Sequence, residues 1–191
     1  MDENGVGLTR IAEELSMSKS TLENWKYQDS KPIHSEGLYL TQNSKGIEIP
    51  ECFSTEFAEF LSLVISESTE QQAEGSYRII FTNDDQDLMD KFVSHSGSLF
   101  GLETSEMGDN ARYIDSTSLK HLLDDLGYKT LQNSRSKEIP NIVLRSPKEC
   151  KKRFLRTFFD AEGCMEHHEI TLSLASQDII NKISYMLLEF G

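Results

Sequence analysis

The chain has 191 residues, 37% hydrophobic and 27% charged, with a formal net charge of −13. That length allows one large or two small domains with a real core, and the composition is that of a globular protein. No apolar run reaches the ~18 residues a membrane span needs. Met1-Asp-Glu-Asn-Gly5 lacks the basic and apolar regions of a signal peptide. The three cysteines, Cys52, Cys150 and Cys164, are widely spaced, which argues against a disulfide framework and for a reducing cytoplasm.

Residues 8–27 form the first element. Ile11, Ala12, Leu15, Met17, Leu22 and Trp25 follow the spacing of two short helices, with Ser18 as N-cap of the second. This segment resembles the helix-turn-helix family, in which the second helix enters the major groove of DNA. The resemblance implies that Lys19, Ser20 and Asn24 contact DNA. A generic helical hairpin is the alternative. Residues 1–33 are assigned to this segment and 34–54, with Pro32 just before and Gly37, Gly46 and Pro50 within, to a linker carrying one short strand.

From Thr55 the pattern changes. Phe60-Leu-Ser-Leu-Val-Ile-Ser-Glu67-Ser68 is an apolar helical run ending in a carboxylate. A polar strand and turn follow to Ser76. Tyr77–Thr82 then alternates as a strand, with Tyr77, Ile79 and Phe81 facing a core and Arg78 and Thr82 facing away. Asn83-Asp84-Asp85 starts a helix through Phe100, Leu102–Asp115 forms a hairpin with Gly108-Asp109 in its turn, and Ser116 caps a helix ending at Gly127.

The basic residues concentrate next. Between Lys129 and Arg156 nine Lys and Arg face only Glu138 and Glu149, a net +7 that leaves −20 for the rest of the chain. The overall charge opposes binding to phosphates, but a basic patch on an acidic body can still dock on nucleic acid. Lys129, Arg135 and Arg145 are the candidate contacts. A solvated surface loop is the alternative.

Leu155-Arg-Thr-Phe-Phe-Asp-Ala-Glu162-Gly163 repeats the earlier motif, and Glu162 lies 95 residues after Glu67. Ser62 and Ser66 in the first copy match Thr157 and Ala161 in the second. The i, i+4 spacing puts each small pair on one helix face, where two backbones can approach closely. Packed side by side, the helices bring both carboxylates to one end, and close carboxylates repel unless a cation lies between them. The alternative is two ordinary amphipathic core helices. Cys164, His167 and His168 form a weak candidate zinc set, the alternative being an exposed strand or turn.

These two motifs resemble the LAGLIDADG family of homing endonucleases, as does Ser136-Lys137-Glu138-Ile139-Pro140, similar to that family's Lys-x-Ile-Pro element. Ser68 stands where the family has Gly. The resemblance covers roughly residues 50–191. It implies an α+β fold, with an αββαββα repeat over 55–128, a basic connector over 129–147 and a partial second repeat over 148–191. It implies Mg²⁺ (Mn²⁺ as substitute) held by Glu67 and Glu162, an assisting Lys137, and double-stranded DNA as substrate, with Arg78 on the DNA side of the sheet. Because Gly191 falls before a second hairpin and helix, the expectation is either a fragment of a longer protein or self-association that completes that repeat. The alternatives are a non-cleaving DNA-binding regulator with the same scaffold and an acidic protein-interaction module.

Overall fold

The computed structural model describes residues 46–73, 75–166 and 169–191, together with positions 9, 38 and 39. The helix-turn-helix segment, including Lys19, Ser20 and Asn24, lies outside the described residues, as do His167 and His168.

A short strand β1 (Leu38–Tyr39) pairs antiparallel with β2 (Ile47–Glu48). The first unit then runs α1 (Thr55–Glu67), β3 (Ser68–Ala73), β4 (Ser76–Thr82), α2 (Gln86–Phe100), β5 (Ser105–Glu106), β6 (Ala111–Asp115) and α3 (Thr117–Asp125). A short helix α4 (Asn141–Arg145) lies within the stretch read as a connector. The second unit is α5 (Lys148–Glu162), β7 (Gly163–Glu166), β8 (Glu169–Leu172) and α6 (Gln177–Leu187). The architecture is α+β.

Local chemistry sets the helix starts. Ser54, Ser116 and Ser176 each accept a backbone N–H with their hydroxyl at the head of α1, α3 and α6. Asp85 is the cap of α2, while Asn83 Oδ1 takes the Asp85 amide one step earlier. Gly108 and Gly127 sit at φ 81° and 86°, the left-handed turn positions their sequence context anticipated.

The first unit's sheet is antiparallel in the order β3-β4-β6-β5. Tyr77, Ile79 and Phe81 of β4 are buried in the main core beside Ile114 of β6. Arg78, Ile80 and Thr82 point to the opposite face, and Ile80, though buried, is not part of that core. β7 and β8 form a separate two-stranded antiparallel sheet.

The core centres on α1, whose residues from Phe57 to Ile65 are buried throughout. On one side Phe60 and Phe81 stack against Phe92 of α2 at 5.9 and 4.8 Å between ring centroids. On the other, α1 lies against α5, the largest helix-to-helix contact among the described elements. No helix among the described residues is long and apolar enough to cross a membrane.

Candidate metal and nucleic-acid site

The crossing of α1 and α5 is built on the small residues of the repeated motif. Ser62 and Thr157 are fully buried, and the Ser62 hydroxyl donates to the carbonyl of Phe154 at 3.0 Å. Ser66 donates back to Ser62 O of its own helix at 2.9 Å. A side chain reaching a backbone carbonyl of the facing helix requires close backbone approach, which larger residues here would forbid.

The two helices run in the same direction, so their C-terminal residues Glu67 and Glu162 emerge at one end. Both are partly buried. Burial pushes the Glu67 carboxyl up from its ordinary value and the nearby Glu162 carboxylate pushes it further, opposed by Lys137 and a hydrogen bond from Asn83. Burial likewise raises Glu162, again opposed by Lys137. Two carboxyls held above their usual range by desolvation, one of them also by the other's charge, form a site with unspent affinity for a cation.

Lys137 is the cation already present. The residue is 8% exposed, and its Nζ donates to Ile65 O at 2.9 Å and Ser68 O at 2.8 Å, closing the C-terminus of α1. Burial lowers its pKa, while Glu70, Glu162 and Glu67 oppose that shift. The following Ile139-Pro140 is buried, so the Lys-x-Ile-Pro element anchors its apolar half in the core and aims its lysine at the acids.

Further residues that the sequence did not single out for this site complete it. Ser176, the α6 cap, donates its hydroxyl to Lys137 O at 2.6 Å, tying the second unit to the lysine. Asn83 supplies the hydrogen bond to Glu67. Glu70 projects inward from β3 opposite Ile79 and accepts from the Tyr128 hydroxyl and the Leu131 amide. Leu131 adopts φ 61°, a left-handed conformation costly for a branched residue, and Glu70 holds the loop in it. A cavity of about 220 Å³ opens beside Lys137 and Glu162, lined also by Ser66, Ser134 and Ser173.

The predicted DNA contacts separate into two groups. Lys129 and Arg135 flank the loop that carries Lys137, exposed, with Lys129 paired to Glu138 at 2.9 Å. Arg145 instead ends α4, just before α5 begins. The 14 steps of α5 from Lys148 to Glu162 put it roughly 20 Å from the acids at 1.5 Å per residue. The structure does not bring Arg145 to the acid end. The same separation divides the basic patch: Lys148 and Lys151 bind Glu189, and Arg153 lies near Glu59 and Glu149. Sequence proximity hid this, because a helix carries its N-terminal charges away from its C-terminal site. Arg78 lies on the open face of the sheet, paired with Asp115.

The donor set suits a hard divalent cation. Two carboxylates at one helix end leave coordination positions for water and phosphate oxygens, the usual partners of Mg²⁺. Among the described residues no group of three or more His, Cys, Asp or Glu converges, and Cys164 is exposed and free, while His167 and His168 of the zinc alternative lie outside the described residues.

A LAGLIDADG-like domain matches residues 149–191. The chain aligns with the crystal structure of I-DmoI in complex with DNA and Mn at a TM-score of 0.54, 15% identity, covering 73% of this chain and 80% of that one. Residues 149–191 are thus similar to the LAGLIDADG family, and the chain shares the fold of I-DmoI. Among curated relatives it is 31% identical over 144 residues to the replication factor C small subunit of Methanocaldococcus jannaschii, covering 73% of this chain and 8% of the relative. It is 24% identical over 155 residues to an A-type ATP synthase subunit of Pyrococcus abyssi, covering 78% of this chain and 15% of the relative. The chain therefore spans a small fraction of each of these relatives.

Proposed function

We propose that this chain is a divalent-metal-dependent endonuclease of homing type that hydrolyses phosphodiester bonds of double-stranded DNA. The carrying observation is the delivery of Glu67 and Glu162 to one end of a parallel helix pair, with Lys137 near enough to act on both charges. In this reading Glu67 and Glu162 hold Mg²⁺, with Mn²⁺ as substitute. When bound, the cation supplies Lewis-acid activation of the scissile phosphate. Lys137 places a fixed positive charge beside the acids and stabilises charge developing on phosphate oxygens. Asn83 and Ser176 orient Glu67 and Lys137. Lys129 and Arg135 bind backbone phosphates near the site. The open face of the first unit's sheet lies over the duplex, with Lys19, Ser20 and Asn24 adding contacts from the N-terminal segment.

One segment recurring within proteins of unrelated names supports an origin as an inserted element, intein-related in kind. Self-association through the two-stranded β7–β8 sheet is part of this proposal, and sedimentation at rising concentration reports it.

Plasmid nicking in Mg²⁺ tests the central claim. Glu162→Gln is expected to reduce cleavage roughly 100-fold or more. Equal cleavage by variant and wild type removes Glu162 from the mechanism. The rival is a DNA-binding regulator that does not cut. Ser68, where the second motif has Gly163, and a Lys137 ammonium already committed to two carbonyls favour it. Salt-sensitive binding without nicking in either Mg²⁺ or Mn²⁺ decides for it.

A further inference from the structure

On the open face of the sheet, Arg78 of β4 stands directly opposite Asp115 of β6. Its Nε donates to Oδ1 and its Nη2 to Oδ2, both at 2.7 Å. The guanidinium carbon also lies 4.0 Å from the centroid of the Tyr113 ring, the next residue but one on β6. A carboxylate on one edge and an aromatic face beneath fix both the plane and the rotation of the guanidinium.

Among the described residues, the pairing leaves a specific set of donors free. A guanidinium has five N–H groups, and this geometry uses one on Nε and one on Nη2. Both hydrogens of Nη1 and the outer hydrogen of Nη2 remain, and they project from the end of the side chain. Two parallel N–H groups at that spacing match O6 and N7 of guanine in the major groove. The surroundings also separate base reading from phosphate binding. Asp115 cancels the charge of Arg78, and exposed Thr69, Gln71 and Thr82 on the same face are neutral. A neutralised arginine gains little from phosphates but keeps its directional hydrogen bonds.

The geometry points to Arg78 as a specificity-determining residue that reads one guanine of a G·C pair, held in position by Asp115 and Tyr113. This rests on the endonuclease reading, which lays duplex DNA across this face. Arg78 is three residues along β4 from Phe81, the partner of Ser68 next to Glu67, so the contacted pair lies about 10 Å from the acid tip.

Selection by the full chain from a randomised duplex library, at low salt with chelator present, provides the test. The wild type is expected to enrich a consensus with a guanine that depends on Arg78. Arg78→Gln is expected to shift that one position toward adenine, the base whose edge suits an amide, and to leave other positions unchanged. Changing that G·C pair to A·T is expected to weaken wild-type binding about 10-fold and Arg78→Gln binding less than about 3-fold. Asp115→Ala is expected to raise overall affinity while discriminating less at the same position. An unchanged consensus in Arg78→Gln, or a loss of affinity spread evenly over all positions, overturns the assignment while leaving DNA binding intact. A wild type that binds no duplex overturns this inference and the endonuclease reading together.

Discussion

The hydroxyl of Ser62 donates to the backbone carbonyl of Phe154 across the crossing of α1 and α5, at 3.0 Å. That contact measures how closely the two motif helices approach, and the separation of Glu67 from Glu162 depends on it. Ser62→Val removes the hydrogen bond and inserts methyl groups into a fully buried contact. The expected cost is about 2 kcal/mol, read as a lower urea midpoint. Nicking activity should fall further than stability explains, because the acids move apart together with the helices.

Thr157, across the same interface, behaves oppositely. It is fully buried, and its hydroxyl has no hydrogen-bond partner among the described residues. A buried hydroxyl without a partner costs free energy that a methyl group of the same shape does not. Thr157→Val should therefore hold or raise stability by up to about 1 kcal/mol. A loss of more than that in equilibrium unfolding means the hydroxyl is satisfied in solution.

The acids themselves carry a pH signature. Glu67 and Glu162 are both raised above the ordinary 4.5, so the folded chain binds those protons more tightly than the unfolded chain. The resulting stabilisation is complete below 4.5 and is lost as pH rises through the raised folded values. Above those raised values each group ionises against burial and, for Glu67, against a neighbouring charge. Glu67→Gln and Glu162→Gln should each raise the melting temperature at pH 7, and the advantage should vanish below pH 4.5. Adding Mg²⁺ at pH 7 should raise the wild-type melting temperature more than that of either variant.

Much of this arrangement is legible in the sequence. The repeated motif with its matched small residues and terminal acids anticipates the α1–α5 pair, and the alternation of Tyr77, Ile79 and Phe81 anticipates the buried face of β4. Glu70 is invisible there because β3 reads Ser-Thr-Glu-Gln-Gln-Ala, with no apolar alternation to say which side faces in; its direction comes from pairing with β4. Asp115 and Ser176 are hidden for a different reason. Each acts on a residue 37 or 39 positions away, and only the folded chain supplies that proximity. The division of the basic patch also needs three dimensions, since residues 129–156 are continuous in sequence yet serve opposite ends of α5.

Lys137 joins stability to function. Its ammonium satisfies the carbonyls of Ile65 and Ser68 in a buried setting and faces three carboxylates. Lys137→Met keeps most of the volume but removes both hydrogen bonds and the positive charge that opposes the acids. The expected loss is about 3 kcal/mol in urea unfolding, with nicking abolished. Ser176→Ala, which removes a hydrogen bond to Lys137 O and the cap of α6, should cost about 1–2 kcal/mol and lower activity without abolishing it.

Gly163 ends α5 where Ser68 ends α1, and the two exits differ in the room they leave. A Cβ at position 163 would sit 2.4 Å from the carbonyl oxygen of Phe159, a backbone atom that cannot swing aside. The same carbonyl accepts the Gly163 amide, so relieving the clash breaks the hydrogen bond closing the helix. Gly163→Ala should therefore cost about 2 kcal/mol or more in equilibrium unfolding. It should also displace Glu162, the residue before it, and reduce Mg²⁺-induced thermal stabilisation along with nicking. Ser68→Gly has no such clash to create: it removes a buried hydroxyl that has no hydrogen-bond partner among the described residues, at the expense of backbone entropy. Its melting temperature should stay within a few degrees of wild type. Equal damage from both substitutions means the exit of α5 is as roomy as that of α1, contrary to the position of the Phe159 carbonyl.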